Sequence, residues 1–247
     1  MRLLGGIDIK QGRPSSTVLC DYERMRPYEF SAGEWAERLM SKGVSGLHIV
    51  DTDGARRGGF KNINNVREIK KRVPHVYLEV GGGIRTTEQA ERLFDEGVDR
   101  IFVGSIVFKE PNLFRQLIYR YGEKVIVMID ARGEEVQTGA WQQHTEIDVY
   151  QYAQQLIESG VTRLTYTDAQ LDGTGNGPNL GVLEKLVTKF KLQNREPPIS
   201  IFNVGGISTY QHLIDLQQIG VDGAILNKSL REGKLDPNKA YEILAHL

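Results

Sequence analysis

Short runs of apolar residues alternate along the chain with longer segments whose apolar residues recur every three or four positions. Uninterrupted apolar runs are typical of parallel strands that are buried on both faces, whereas the longer period predicts helices with one apolar side. The predicted strands are residues 3–7, 47–50, 76–80, 101–103, 125–129, 164–166, 199–202 and 224–226. The predicted helices include residues 34–41, 87–96, 112–121, 149–159, 180–190 and 210–218.

This order of elements predicts an α/β protein of the (β/α)8 TIM-barrel type. Eight strand-then-helix units in 247 residues fit a closed barrel better than an open, doubly wound sheet. No linker rich in proline, glycine or serine divides the chain. We therefore expect residues 1–247 to form a single domain.

Short segments of the first half of the sequence recur, in the same order, in the second half. The matched segments are residues 7–10 and 129–132, residues 82–84 and 205–207, residues 97–99 and 220–222, and the pair Asp51 and Asn62 with the pair Asp168 and Asn179. Four matches at about half the chain length predict a twofold internal repeat of half-barrels, roughly 1–122 and 123–247. In such a barrel the first strand faces the fifth, and the third faces the seventh.

Composition and charge exclude several classes of function. Thirty-one basic and 32 acidic residues give a formal net charge of −1, which does not favour a nucleic-acid or acidic-lipid partner. We expect no membrane association and a cytoplasmic location, because the sequence has no apolar stretch of about 20 residues and no signal-peptide pattern. A lone cysteine, Cys20, and five scattered histidines predict neither a disulfide framework nor a metal site.

Two aspartates, Asp8 and Asp130, directly follow the apolar runs of the first and fifth predicted strands. The carboxyl ends of barrel strands are where TIM barrels carry out their reactions. The two carboxylates are expected to face each other across the barrel mouth, where one can remove a proton and the other donate one. The alternative is that each aspartate caps the next helix or accepts hydrogen bonds from loop amides.

Glycine-rich turns follow the third and seventh predicted strands, and each lies beside a second turn after the next strand. Glycine lets backbone N–H groups approach a phosphate, and the start of the following helix favours an anion. The candidate phosphate-binding residues are Gly82, Gly83, Arg85, Gly104 and Ser105 in the first half, and Gly205, Gly206, Asn227 and Lys228 in the second. A single such turn is also compatible with a simple tight turn. The duplicated pair predicts a ligand with a phosphate at each end.

These motifs, taken together, resemble the ProFAR isomerase (phosphoribosylformimino-5-aminoimidazole carboxamide ribotide isomerase) family of histidine biosynthesis. The resemblance runs through nearly the whole chain and includes residues 7–10, 48–51, 80–86, 139–141, 166–168, 172–174 and 177–179. The last motif and the region of Trp141 favour this isomerase over the related cyclase subunit of imidazole glycerol phosphate synthase.

The resemblance implies an aldose–ketose isomerase that performs an Amadori rearrangement of a bis-phosphorylated aminoaldose, without metal or organic cofactor. Asp8 is then the base that removes the C2 proton, and Asp130 the acid that protonates the ring oxygen. Thr167 assists by hydrogen bonding, and Trp141 stacks on the carboxamide-imidazole, although packing within its loop is an alternative role for Trp141. Asp168 and Gly177 are further expected substrate-binding positions.

The chain departs from the family pattern at several ligand-facing positions. Gly5 and Gly6 stand where the family usually has proline and alanine. Residues 16–21 lack the usual basic residue and glycine hinge of a loop that closes over substrate. Leu171 replaces a basic residue, and Asn227 replaces a glycine at the phosphate site after the eighth strand.

These departures leave two alternatives open. One is a barrel of the same lineage acting on another phosphoribosyl compound, such as phosphoribosylanthranilate. The other is a non-catalytic or weakened barrel, divergent or engineered, that only binds phosphate. In each case the expected partner is a small molecule, and a monomer is expected.

Overall fold

The protein is described by a computed structural model for residues 1–16, 22–138, 143–191 and 196–246. Its strands are β1 (Arg2–Lys10), β2 (Arg13–Ser16), β3 (Arg26–Pro27), β4 (Leu47–Asp51), β5 (Leu78–Gly81), β6 (Arg100–Val103), β7 (Val125–Arg132), β8 (Glu135–Thr138), β9 (Gln143–Asp148), β10 (Arg163–Asp168), β11 (Ser200–Val204) and β12 (Gly223–Leu226).

The helices follow the strands around the barrel. They are α1 (Ala32–Ser41), α2 (Thr52–Arg57), α3 (Ile63–Arg72), α4 (Thr87–Asp95), α5 (Ile106–Lys109), α6 (Pro111–Tyr121), α7 (Val149–Glu158), α8 (Leu180–Phe190), α9 (Tyr210–Gln218), α10 (Lys228–Arg231) and α11 (Pro237–Leu244), with a 3-10 turn at Gly122–Lys124. All six helices expected from the hydrophobic period are present.

Eight parallel strands close into a barrel, which confirms the predicted (β/α)8 fold. The order around the barrel is β1, β4, β5, β6, β7, β10, β11 and β12. The last strand returns to the first, because β12 pairs in parallel with β1 in the register Arg2↔Gly223. Each of the eight strands expected from the sequence is one of these barrel strands.

Two antiparallel extensions project beyond the barrel at the carboxyl ends of β1 and β7. β2 pairs with β1 and with β3, and β8 pairs with β7 and with β9. The apolar runs did not predict these additions, because they are short and rich in polar residues. They bring extra backbone to the two opposite sides of the barrel mouth.

Most of the apolar core lies between the strands and the surrounding helices, where residues such as Ile7, Ile9 and Leu39 are fully buried. A second, smaller cluster of Leu4, Phe202 and Ile225 fills the barrel interior. The alternation of Leu3 and Leu4 between the two clusters follows from the period of two in a strand. By the same alternation, Gly6 and Asp8 face the barrel axis. No helix within the described residues is long and apolar enough to cross a membrane.

Candidate active site

A cavity of about 750 Å³ opens at the carboxyl ends of the barrel strands. Among its lining residues are Asp8, Asp130 and Thr167, together with residues of both glycine-rich turns. In (β/α)8 barrels this end carries the reactive groups, because eight separate loops converge there.

Asp8 and Asp130 lie on opposite walls of the cavity. Asp8 is near the end of β1 and Asp130 near the end of β7, and three barrel strands separate β1 from β7 in either direction. Both side chains are half-buried. The Oδ2 atom of Asp8 accepts a hydrogen bond of 2.9 Å from Nδ2 of Asn227. A ligand between the two walls would therefore have one carboxyl group on each side.

Thr167 lies directly beside Asp130, because β10 and β7 pair in the register Thr167↔Asp130. Its side chain is only 3% exposed, and its hydroxyl makes no hydrogen bond to any described residue. A buried hydroxyl without a partner is unfavourable in a folded protein, and a bound ligand or water molecule can complete it. The Thr167 hydroxyl is thus available to a bound molecule next to Asp130.

The glycine-rich turn after β5 depends on the absence of side chains. Gly82 and Gly83 have φ angles of +103° and +83°, which residues with a side chain rarely adopt. A Cβ atom at Gly83 would overlap the backbone of Gly54. The Gly83 carbonyl also accepts a hydrogen bond of 2.7 Å from the N–H of Gly59. The turn is therefore packed closely against α2, which follows β4, and against the residues just after it.

The turn after β11 is built in the same way. Gly205 and Gly206 have φ angles of +87° and +78°. A Cβ at Gly206 would overlap the carbonyl of Gly177, whose N–H donates to the Gly206 carbonyl at 3.0 Å. Gly177 thus packs against the turn and does not line the cavity.

Each turn has polar side chains beside it. On the β5 side, Arg85 and Ser105 line the cavity together with Gly104, and Arg85 Nη2 lies 3.5 Å from Ser105 Oγ. Partial burial lowers the pKa of Arg85 from its usual value, although the guanidinium stays charged at neutral pH. On the β11 side, Lys228 Nζ donates to the Gly173 carbonyl at 2.6 Å.

Asp168 does not line the cavity, although the sequence placed it among the substrate-binding positions. It is buried, and its Oδ2 atom accepts hydrogen bonds from Asn179 Nδ2 at 2.9 Å and from the Gly133 N–H at 3.2 Å. Its other oxygen accepts from the N–H of Gln170 at 3.0 Å. The carboxylate organises the loops around it. Trp141, expected to stack on the ligand, lies outside the described residues.

His48 is a cavity residue that the sequence reasoning did not single out. It is 2% exposed, its Nδ1 lies 2.7 Å from Oε1 of Glu79, and its ring stacks on Phe102 at 4.2 Å. Glu79 in turn lies 2.9 Å from Nη1 of Arg163. The sequence signal that could have indicated this group is a charged or ionisable residue in each of three otherwise apolar strands: His48 in β4, Glu79 in β5 and Arg163 in β10.

The ionic state of Glu79 follows from these contacts. Burial alone raises the pKa of a carboxyl group, but the hydrogen bond with His48 and the positive charge of Arg163 outweigh it. The pKa of Glu79 is therefore below its ordinary value. Arg163 also lies over the ring of Phe202, 3.5 Å from its centroid. Among the described residues, no group of three or more His, Cys, Asp or Glu side chains is placed to hold a metal ion.

The fold and the cavity define a (β/α)8 barrel with a carboxyl group on each of two opposite walls of the cavity at the carboxyl ends of its strands. The chain belongs to the histidine biosynthesis protein family, whose model matches residues 2–236.

Curated relatives match nearly the whole chain. A protein of Dehalococcoides mccartyi is 35% identical over 245 residues, which cover 99% of this chain and 100% of the relative. A protein of Halothermothrix orenii is 35% identical over 236 residues, covering 95% and 96%. A protein of Leuconostoc mesenteroides is 31% identical over 238 residues, covering 96% and 97%. Each is named 1-(5-phosphoribosyl)-5-((5-phosphoribosylamino)methylideneamino) imidazole-4-carboxamide isomerase.

Proposed function

We propose that this protein is an aldose–ketose isomerase of histidine biosynthesis that converts ProFAR, a bis-phosphorylated aminoaldose, into its aminoketose. The observation that carries the proposal is the placement of Asp8 and Asp130 on opposite walls of the cavity in a barrel of this family. The names of the relatives supply the substrate class.

The proposed reaction begins with ring opening. Asp130 donates a proton to the ring oxygen as the bond between that oxygen and C1 breaks, which leaves a protonated C1=N bond. Asp8 then removes the proton from C2, the electrons of that C–H bond form a C1=C2 double bond, and the electrons of the C1=N bond return to the nitrogen. Loss of the hydroxyl proton at C2 and addition of a proton at C1 turn the resulting enol into the ketone. Because the two carboxyl groups lie on opposite sides of the sugar, one can donate a proton and the other can remove one while the sugar stays in place.

Thr167 is proposed to hold the reacting part of the substrate close to Asp130. Its buried hydroxyl has no partner among the described residues, so a substrate oxygen or nitrogen there would satisfy it. Trp141 is proposed to stack on the carboxamide-imidazole.

The two phosphates are proposed to bind at the two glycine-rich turns, one on each side of the acids. The first site consists of Gly82, Gly83, Arg85, Gly104 and Ser105, and the second of Gly205, Gly206, Asn227 and Lys228. Backbone N–H groups in such turns bind anions, and Arg85 and Lys228 supply positive charge. Asp168 and Gly177, which do not line the cavity, are proposed to shape the second side through their loop contacts.

We further propose a cytoplasmic monomer whose single domain combines two half-barrels. Supporting contacts occur at matched positions in the two halves. Asn62 Nδ2 donates to Asp51 at 2.6 Å, as Asn179 Nδ2 donates to Asp168 at 2.9 Å. Likewise, Asp99 accepts from the backbone N–H of Leu78 at 2.8 Å, and Asp222 from that of Ile201 at 2.7 Å.

The proposed substrate is tested by an absorbance assay of the purified protein with ProFAR, run beside an assay with phosphoribosylanthranilate. We expect turnover of ProFAR. Turnover of phosphoribosylanthranilate alone would replace the proposed substrate with that of the first alternative. No turnover of either substrate by a cooperatively folded protein, combined with phosphate binding, would favour the non-catalytic barrel.

A further inference from the structure

Asn227, which follows β12, lies between Asp8 and Tyr28. Its Nδ2 atom donates to Asp8 Oδ2 at 2.9 Å, and its Oδ1 atom accepts from the Tyr28 hydroxyl at 3.3 Å. We propose that Asn227 is a positioning residue that holds the Asp8 carboxylate for proton removal, with Tyr28 fixing the orientation of the Asn227 amide. The catalytic part of this inference rests on the proposed function.

The orientation of the Asn227 side-chain amide follows from which of its neighbours can donate a hydrogen bond. An ionised carboxylate only accepts hydrogen bonds, so the NH2 group of Asn227 must face Asp8. Its carbonyl oxygen then faces Tyr28, which must supply the proton. Burial and, secondarily, the charge of Asp8 raise the pKa of Tyr28, so this hydroxyl stays protonated. The three side chains therefore have one consistent hydrogen-bond pattern.

Gly6 provides the space for this arrangement. Gly6 and Asp8 point to the same side of β1, and a Cβ at Gly6 would come within 3.2 Å of Asn227 Cβ and 3.3 Å of Ile225 Cγ2. Such distances are tighter than ordinary van der Waals contact, so a methyl group there would push the asparagine away from its present position. Gly6 and Asn227 thus fit each other, and the hydrogen bond to Asp8 depends on both.

The other titratable groups around Asp8 come from neighbouring elements. His48 lines the cavity from β4, and Lys228, Arg231 and Glu232 line it from α10 and its end. Lys228 donates to the Gly173 carbonyl, and Arg231 lies 3.5 Å from Glu232. A change at Asn227 removes a neutral donor and leaves these charges in place.

The arrangement also separates the role of the Asn227 side chain from phosphate binding. Its amide nitrogen donates to Asp8 and its amide oxygen accepts from Tyr28, so Asn227 contributes its backbone N–H to the proposed second phosphate site, beside Lys228. A phosphate-binding role predicts that loss of the amide raises KM. The positioning role predicts that loss of the amide lowers kcat.

The direct test measures the pKa of Asp8 by NMR of protein whose aspartate carboxyl groups are labelled with 13C. The Asp8 signal is the one that disappears in Asp8→Asn, and this measurement needs no turnover. In Asn227→Ala we expect the pKa of Asp8 to rise by about one unit, a tenfold weaker preference for the ionised form. In Asn227→Asp, which adds a second carboxyl group beside Asp8, we expect a larger rise.

Kinetics with ProFAR supply the second readout. We expect Asn227→Ala to lower kcat about tenfold, with a smaller change in KM, and to move the acidic limb of the pH profile upward. Tyr28→Phe should give a smaller effect of the same kind. Asn64→Ala, an exposed asparagine on α3, is the matched control and should leave both readings unchanged.

An unchanged pKa of Asp8 in Asn227→Ala and Asn227→Asp would overturn the positioning role. So would an increase in KM with kcat and the pH profile unaltered, which assigns Asn227 to phosphate instead. If the parent protein does not turn over ProFAR while the pKa of Asp8 still shifts as expected, the proposed function fails and the hydrogen bond from Asn227 to Asp8 stands.

Discussion

His48 and Glu79 form a buried pair inside the barrel, with Nδ1 of the imidazole 2.7 Å from Oε1 of the carboxylate. The pair connects the cavity, which His48 lines, to Arg163 in the barrel interior. Charged groups at this depth are stable only as a set, because each compensates the lost hydration of another.

The first prediction concerns the removal of this carboxylate. Glu79→Gln leaves the guanidinium of Arg163 buried without its counter-charge, and we expect a loss of about 3–5 kcal/mol in the free energy of unfolding. Chemical denaturation measures it. Glu96→Gln is the control, because Glu96 pairs with Arg67 at the protein surface, where such a pair contributes about 0–1 kcal/mol. A loss below about 1 kcal/mol for Glu79→Gln would contradict the role of the pair.

The second prediction is the pH dependence of stability. The pKa of Glu79 is lowered by folding, so its contribution is present above the unfolded pKa of about 4.3 and is lost as the pH falls through the folded pKa. We expect the unfolding free energy of the parent to decrease more steeply than that of Glu79→Gln as the pH is lowered from about 5. Parallel slopes in denaturation series would show that Glu79 is not held ionised by its partners.

The third prediction distinguishes glycines that the turns require from one that they do not. Gly83→Ala and Gly206→Ala combine a positive φ with overlap of backbone atoms, so each is expected to cost more than about 2 kcal/mol and to weaken ligand binding. Gly133→Ala is the control, since its φ is +59° but nothing lies within 4 Å of the added Cβ. It should cost about 1 kcal/mol. Equal losses of unfolding free energy at all three positions would contradict the claim that close backbone packing makes Gly83 and Gly206 necessary.

Thr167 gives a prediction in which stability and activity move in different directions. Thr167→Val replaces a buried hydroxyl that has no partner among the described residues, so the unfolding free energy is expected to stay the same or rise. Turnover is expected to fall about tenfold or more, and Thr167→Ser should retain most of it. Thermal unfolding and the ProFAR assay measure the two effects. Full activity in Thr167→Val would exclude a catalytic contact for the hydroxyl.

The barrel was predictable because its signal is local. A strand that is buried on both faces must be apolar throughout, and the eight runs that meet this condition became the eight barrel strands. β2 and β8 were not predicted, because they are four-residue strands with few apolar residues. α2 has only six residues and includes Gly54, too few for a recurring apolar stripe.

The placement of Asp8 and Asp130 was predictable because each directly follows an apolar run in the sequence, and in the structure each lies two residues before the end of its barrel strand. The candidate site was not predictable where contacts depend on barrel closure. Asn227 and Asp8 are 219 residues apart in the sequence, and their hydrogen bond exists because β12 returns to β1. The same holds for His48, Glu79 and Arg163. They lie on three different strands, and nothing in the local sequence shows that their side chains meet in the barrel interior. The contacts of Asp168 were not predictable either, because a carboxylate that organises buried loops and one that binds a ligand look alike in the sequence.

The most direct test of the account compares the turnover of ProFAR by the parent protein with that by Asp8→Asn and Asp130→Asn. Each variant keeps the size of the side chain but cannot act as the proposed base or acid. We expect each to lose at least about 100-fold in kcat while unfolding as cooperatively as the parent. Near-normal turnover in either variant would contradict the division of acid and base between the two walls of the barrel.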